Sequence, residues 1–75
     1  MTTATTQTPP GTLVTFDMGI VSPAWAGKNW IARARVIRHY KNGKMEVELV
    51  RECGVCRAGR NLNLRRPEEA TLVES

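Results

Sequence analysis

Seventy-five residues make one domain near the lower limit of what folds alone, because a chain this short buries only about 60 % of its unfolded surface; a large, deep active site is not expected. Eleven Lys plus Arg against seven Asp plus Glu leave a formal charge of +4, which leans toward acidic partners such as nucleic acid, anionic lipid or an acidic protein face. No apolar run reaches the about 18 residues of a membrane span, and the opening "MTTATTQTPPG" lacks the charged and apolar regions of a secretory signal. The expected compartment is the cytoplasm, where two cysteines stay reduced unless bound to metal or used in redox chemistry.

Residues 1–11 hold five Thr, two Pro, one Gly and no charged side chain, a composition that predicts a flexible arm ahead of a folded domain over residues 12–75. "TLVTFDM", residues 12–18, reads as the first strand, with Val14, Phe16 and Met18 on one face and Leu13, Thr15 and Asp17 on the other. Gly19, Pro23, Gly27 and Asn29 then punctuate a long irregular connection.

Two alternating runs flank Asn42-Gly43, the strongest short hairpin signal, because a type I′ turn needs two residues that tolerate positive φ. With those two as the loop, Tyr40 pairs with Met45, Arg38 with Val47 and Val36 with Leu49 on a core face extended by Ala34, Ala32 and Trp30. The solvent face pairs His39 with Glu46, Ile37 with Glu48, Arg35 with Val50 and Arg33 with Glu52. Beyond the cysteines, "NLNLRR" points Leu62 and Leu64 inward. Pro67 followed by Glu68 and Glu69 suits a single helical or 3-10 turn before a last strand over residues 71–74. The expected fold is all-β, with about five antiparallel strands and one short helical turn before the last.

That order, with "AWAGKNWIARARVIRHYKNGKMEVEL" and "NLNLRRPEEATLV", resembles the SH3-like small β-barrel over residues 12–74. It is closest in kind to Tudor-type modules and the DNA-binding C-terminal domain of retroviral integrases. The resemblance implies a barrel used for binding. Such barrels take DNA, RNA, peptides or other subunits.

Cys53 and Cys56, in "RECGVCRAGR", have the spacing of half a tetrahedral zinc site, but there is no other Cys. The only His, His39, lies roughly 20 Å up the expected ladder at ~3.3 Å per residue. Zinc would therefore need two chains, each donating Cys53 and Cys56. A thioredoxin-like role would need a helix after Cys56 to lower the thiol pKa, and none is expected. The third reading is a Gly54 turn with two reduced thiols packed beneath it.

Arg51, Arg57, Arg60, Arg65 and Arg66 fall within sixteen positions that hold one acid, Glu52. Arg57, Arg60, Arg65 and Arg66 are expected to form one basic edge suited to phosphates, with Lys41 and Lys44 of the hairpin tip assisting. The other reading is solvated charge, with Glu68 and Glu69 pairing Arg65 or Arg66. Trp25, in the long loop, either stacks on a base, anchors a partner or caps an open end of the barrel. No triad, paired-carboxylate or phosphate-loop constellation is present, so neither an enzyme nor a cofactor is expected. The expected protein is a monomeric binding module, with nucleic acid (DNA or RNA) as partner or, as the alternative, an acidic surface of a larger protein.

Overall fold

The computed structural model describes residues 2–73 and is all-β. Its strands are β1 (Leu13–Asp17), β2 (Ile31–His39), β3 (Met45–Leu49), β4 (Asn61–Leu64) and β5 (Thr71–Leu72). They form one five-stranded antiparallel sheet in the order β4-β3-β2-β1-β5, with no ladder joining β4 to β5 among the described residues. Among the described residues, helical structure is limited to single 3-10 turns at Met18–Ile20, Pro23–Trp25 and Pro67–Glu69, the last led by proline as expected. Glu74, assigned from the sequence to the last strand, lies outside the described residues, as do Met1 and Ser75.

Alternation places one face of the sheet inward. Val14 and Phe16 of β1, Ala32, Ala34 and Val36 of β2, Met45, Val47 and Leu49 of β3, and Leu62 and Leu64 of β4 are buried together with Met18 and Ala70. Each such Val, Leu or Met contributes about 1.5–3 kcal/mol by leaving water. In the central strand β2, two of the three inward residues, Ala32 and Ala34, are small.

The hairpin departs from the expected register. Tyr40 N–H donates to the Lys44 carbonyl at 2.8 Å, Gly43 N–H to the Tyr40 carbonyl at 3.1 Å, and Gly43 has φ +92. The loop is therefore three residues, Lys41-Asn42-Gly43, with glycine in the left-handed position. This sets His39 opposite Met45 and Arg38 opposite Glu46. A one-residue slip exchanges the faces of a strand. The ladder cancels it by shifting again between Val36 and Arg38, after which Val36 faces Val47, Arg35 faces Glu48 and Ala34 faces Leu49. The predicted core positions up to Val36 thus hold, although their partners differ. Arg38 and Tyr40, expected in the core, are exposed instead, and Trp30, expected there too, is partly buried against it. Arg35 pairs with Glu48 at 3.2 Å and Arg38 with Glu46 at 3.4 Å, replacing the expected Val50 and Val47 partners. Arg33 does not meet Glu52; its carbonyl accepts from Val50 N–H at 3.1 Å, and its Nε is buried without a partner.

Residues 2–11, expected as a flexible arm, are held by backbone bonds. Thr3 bridges Thr71, Ala4 N–H donates to the Ala70 carbonyl at 2.9 Å, and Leu72 N–H donates to the Thr2 carbonyl at 2.8 Å. Further on, Gly11 N–H reaches the Val36 carbonyl at 2.7 Å, and His39 Nε2–H donates to the Thr8 carbonyl at 2.6 Å. Composition weighs side-chain burial, whereas this segment docks through main-chain groups, first on the outer side of β5 and then on β2, with one side chain, Ala4, fully in the core.

Candidate nucleic-acid or partner interface

β4 is an edge strand of four residues, and it separates the predicted arginines into two groups. Arg57 and Arg60 precede it, drawn together by a turn in which Arg60 N–H donates to the Arg57 carbonyl at 3.2 Å. Arg65 and Arg66 follow it. At ~3.3 Å per residue, Arg60 and Arg65 lie about 16 Å apart along the strand. The single basic edge expected from the sequence is thus two clusters, because the loop ends where the strand begins.

The second cluster gains the hairpin tip. Met45 faces Leu64, and continuing that register by one residue sets Lys44 across from Arg65, with Lys41 in the same turn. Lys41, Lys44, Arg65 and Arg66 therefore share one end of the β3–β4 pair. All four are exposed. Among the described residues the ion pairs belong to Arg35 and Arg38, so neither Glu68 nor Glu69 makes one with Arg65 or Arg66.

Arg65, Arg66 and Glu69 also form one wall of a cleft of about 590 Å³ whose other wall is Gly19, Ile20, Val21, Pro23 and Ala26 of the long loop. Two contacts fold that loop on itself: Asp17 Oδ1 accepts from Gly19 N–H at 2.8 Å, and a Cβ at Gly19 would sit 2.9 Å from Ala26 Cα. This apolar wall was not visible in the sequence, where Gly19, Pro23 and Gly27 signal only a loop, and nothing in the local pattern ties Ile20 to Arg65.

Trp25 does not stand free in that loop. It is partly buried against the core, its ring centroid 6.5 Å from that of Trp30 at an interplanar angle of 49°. Of the roles weighed for it, capping one end of the core fits this packing. A second feature unseen in the sequence is the carboxylate of Glu46, which accepts from the Tyr40 hydroxyl and, at 3.0 Å, from Asn61 Nδ2, beside Arg38. The hydrogen bond to Glu46, then burial, raise the Tyr40 phenol above its ordinary pKa.

Cys53 and Cys56 form the ends of a tight turn, each N–H donating to the other's carbonyl at 2.9 Å. Gly54 has φ +56, the conformation a type II′ turn needs at its first central residue. Both thiols are free, Cys56 buried and Cys53 partly so. Among the described residues no three His, Cys, Asp or Glu side chains come together to hold a metal, and none of the helical turns is long and apolar enough to cross a membrane. No protein-family profile, curated protein or solved structure matches this chain.

Proposed function

We propose that the protein is a non-catalytic binding module of the SH3-like small-barrel kind that contacts nucleic acid through Lys41, Lys44, Arg65 and Arg66. The observation that carries this reading is that these four cations gather at one end of β3 and β4 without carboxylate partners among the described residues, while Glu46 and Glu48 are occupied by Arg38 and Arg35. Guanidinium and ammonium groups gathered at one end of two paired strands suit a phosphate backbone, through charge and through bidentate hydrogen bonds. Arg57 and Arg60 form a second, separate contact for a longer strand.

The test is a titration of single- and double-stranded DNA and RNA at two salt concentrations, comparing wild type with a variant carrying alanine at Lys41, Lys44, Arg65 and Arg66. Each phosphate contact removed lowers the salt slope by roughly 0.7–0.9, so a slope reduced by about 3 is expected. Negligible affinity of wild type for every nucleic acid would sink the reading. The cleft favours a second reading, because its apolar wall of Ile20, Val21 and Pro23 beside Arg65 and Arg66 suits a protein segment with acidic and apolar side chains. Such binding would depend only mildly on salt and would be lost when Val21 is replaced by Glu.

A further inference from the structure

We propose that Cys53 and Cys56 are a reversible dithiol–disulfide pair whose oxidant is a small anionic disulfide of the glutathione class. The turn fixes the geometry. Two residues of an antiparallel pair that exchange both N–H···O bonds, as these do at 2.9 Å each, have Cα atoms about 5.5 Å apart. That spacing lies inside the range of about 4.4–6.8 Å found across disulfides, and the Cβ atoms of such a pair, about 4.5–5.5 Å apart, must draw together by about 1 Å for the bond to close. A two-residue loop between the pair leaves little freedom to lose, which makes closure of the ring favoured over capture of a second external thiol.

The two sulfurs differ in access, and the difference assigns the order of attack. Cys53 is partly exposed, whereas Cys56 is 2 % exposed. The Cys53 thiolate attacks one sulfur of the external disulfide, forming a mixed disulfide and releasing one small thiol. Cys56 then attacks Cys53 Sγ, releases the second small thiol and leaves the intramolecular bond. Two protein thiols and one small disulfide become one protein disulfide and two small thiols; the two electrons pass to the reagent, and no further oxidant is required. Arg51 and Arg57 flank the turn and are exposed, as is Glu52 between Arg51 and Cys53, so the flank keeps a net positive charge for the carboxylates of a glutathione-type reagent. Burial, then the neighbouring Cys56, push the Cys53 thiol up, partly offset by Arg51, and because the thiolate is the attacking form the exchange accelerates as pH rises.

The turn also carries its own reporter. Gly54 lies so close to the Trp30 indole that a Cβ there would sit 2.5 Å from Cε3. Intact-mass spectrometry and tryptophan fluorescence of the full chain, incubated with oxidised glutathione and then with excess reduced glutathione, test the proposal. The expected result is loss of two hydrogens per chain with no retained glutathione, a matching change in fluorescence, and reversal of both. Cys56→Ser should instead keep one glutathione on Cys53, and Cys53→Ser should react more slowly than either. Disulfide-linked dimers, a stable adduct on wild type, or a native chain that stays reduced while the urea-unfolded chain oxidises would each overturn it. Circular dichroism of the two serine variants separates lost chemistry from lost folding, and a variant that unfolds is replaced by alkylation of wild type, where protection of both thiols after oxidation is the supporting result and labelling of either is the opposing one.

Discussion

The hairpin tip Lys41-Asn42-Gly43 and the cysteine turn Cys53-Gly54-Val55-Cys56 reverse the chain with the same backbone device, a glycine at positive φ, +92 in one and +56 in the other. Their surroundings differ. A Cβ at Gly43 would meet nothing within 4 Å, whereas one at Gly54 would press into the face of Trp30 at 2.5–2.8 Å. At the tip, glycine serves a local need and leaves Lys41 and Lys44 projecting into solvent. At the cysteine turn it also serves a tertiary one, letting the chain lie flat on an indole that itself packs on Trp25 and the core. The same residue type in the same conformation can thus mark an independent turn or a piece of the core's lid, and only the neighbours distinguish them.

The largest expected effect breaks that distinction at its tertiary side. Gly54→Ala combines left-handed strain of about 1–2 kcal/mol with overpacking of about 1–3 kcal/mol against Trp30, a loss of roughly 2–5 kcal/mol in urea unfolding. An unchanged midpoint would mean that the turn lifts off Trp30 without cost. Gly43→Val comes next, since strain alone acts there: about 1–3 kcal/mol, equivalent to a fall of roughly 4–8 °C in Tm per kcal/mol in a domain of this size. Gly43→Asn, which tolerates positive φ, should recover most of it. If the Val and Asn variants melt together, the third loop residue is not the one in the left-handed region.

How far such differences could be read beforehand depends on the range of the interaction. Val14, Phe16, Ala32, Ala34, Val36, Met45, Val47 and Leu49 were legible as core because period-two alternation is local. Pro67 announced its 3-10 turn for the same reason. The hairpin partners were not legible. Asn42-Gly43 favours a two-residue loop, and the three-residue loop becomes compatible with the core only through the shift at Ile37, a compensation that leaves no mark in the alternation. The contacts of residues 2–11 were not legible, because they are made by backbone groups meeting β5 and β2. Of the candidate site, the cations were visible as residues but not as two groups, since β4's length and its register with β3 decide that division. The apolar wall of the cleft depends on a contact between the first loop and the end of β4, which no local pattern encodes.

The two turns also stand next to different cations, and separating them sharpens the comparison at smaller cost to the fold. Alanine at Lys41 and Lys44, or at Arg57 and Arg60, should change stability by no more than about 0.5 kcal/mol, because all four side chains are exposed and outside the ion pairs of the described residues. Their effects on nucleic-acid binding should differ. Loss of the tip pair lowers the salt slope together with affinity for short oligonucleotides. Loss of Arg57 and Arg60 matters only once a strand is long enough to bridge about 16 Å. Equal effects on short and long strands would mean that the two clusters act as one surface.

The smallest effect asks whether the tip is as independent as Gly43 suggests. Tyr40, which closes the loop, donates its hydroxyl to Glu46, and Glu46 accepts in turn from Asn61 on β4, so the tip is tethered to the sheet through one phenol. The hydrogen bond holds the proton on Tyr40 and raises its pKa in the folded state. A raised folded value means that the folded chain binds this proton more tightly than the unfolded chain does. The associated stability is fully present below the ordinary phenol pKa and is lost as pH rises through the raised one. The informative quantity is the difference between wild type and Tyr40→Phe in urea unfolding measured across that window. Wild type should be slightly more stable at neutral pH, and the gap should close in alkali, where phenolate and carboxylate repel. A gap that is absent at neutral pH, or one that persists unchanged into alkali, would show that the phenol is a bystander and that the tip is held by its backbone alone.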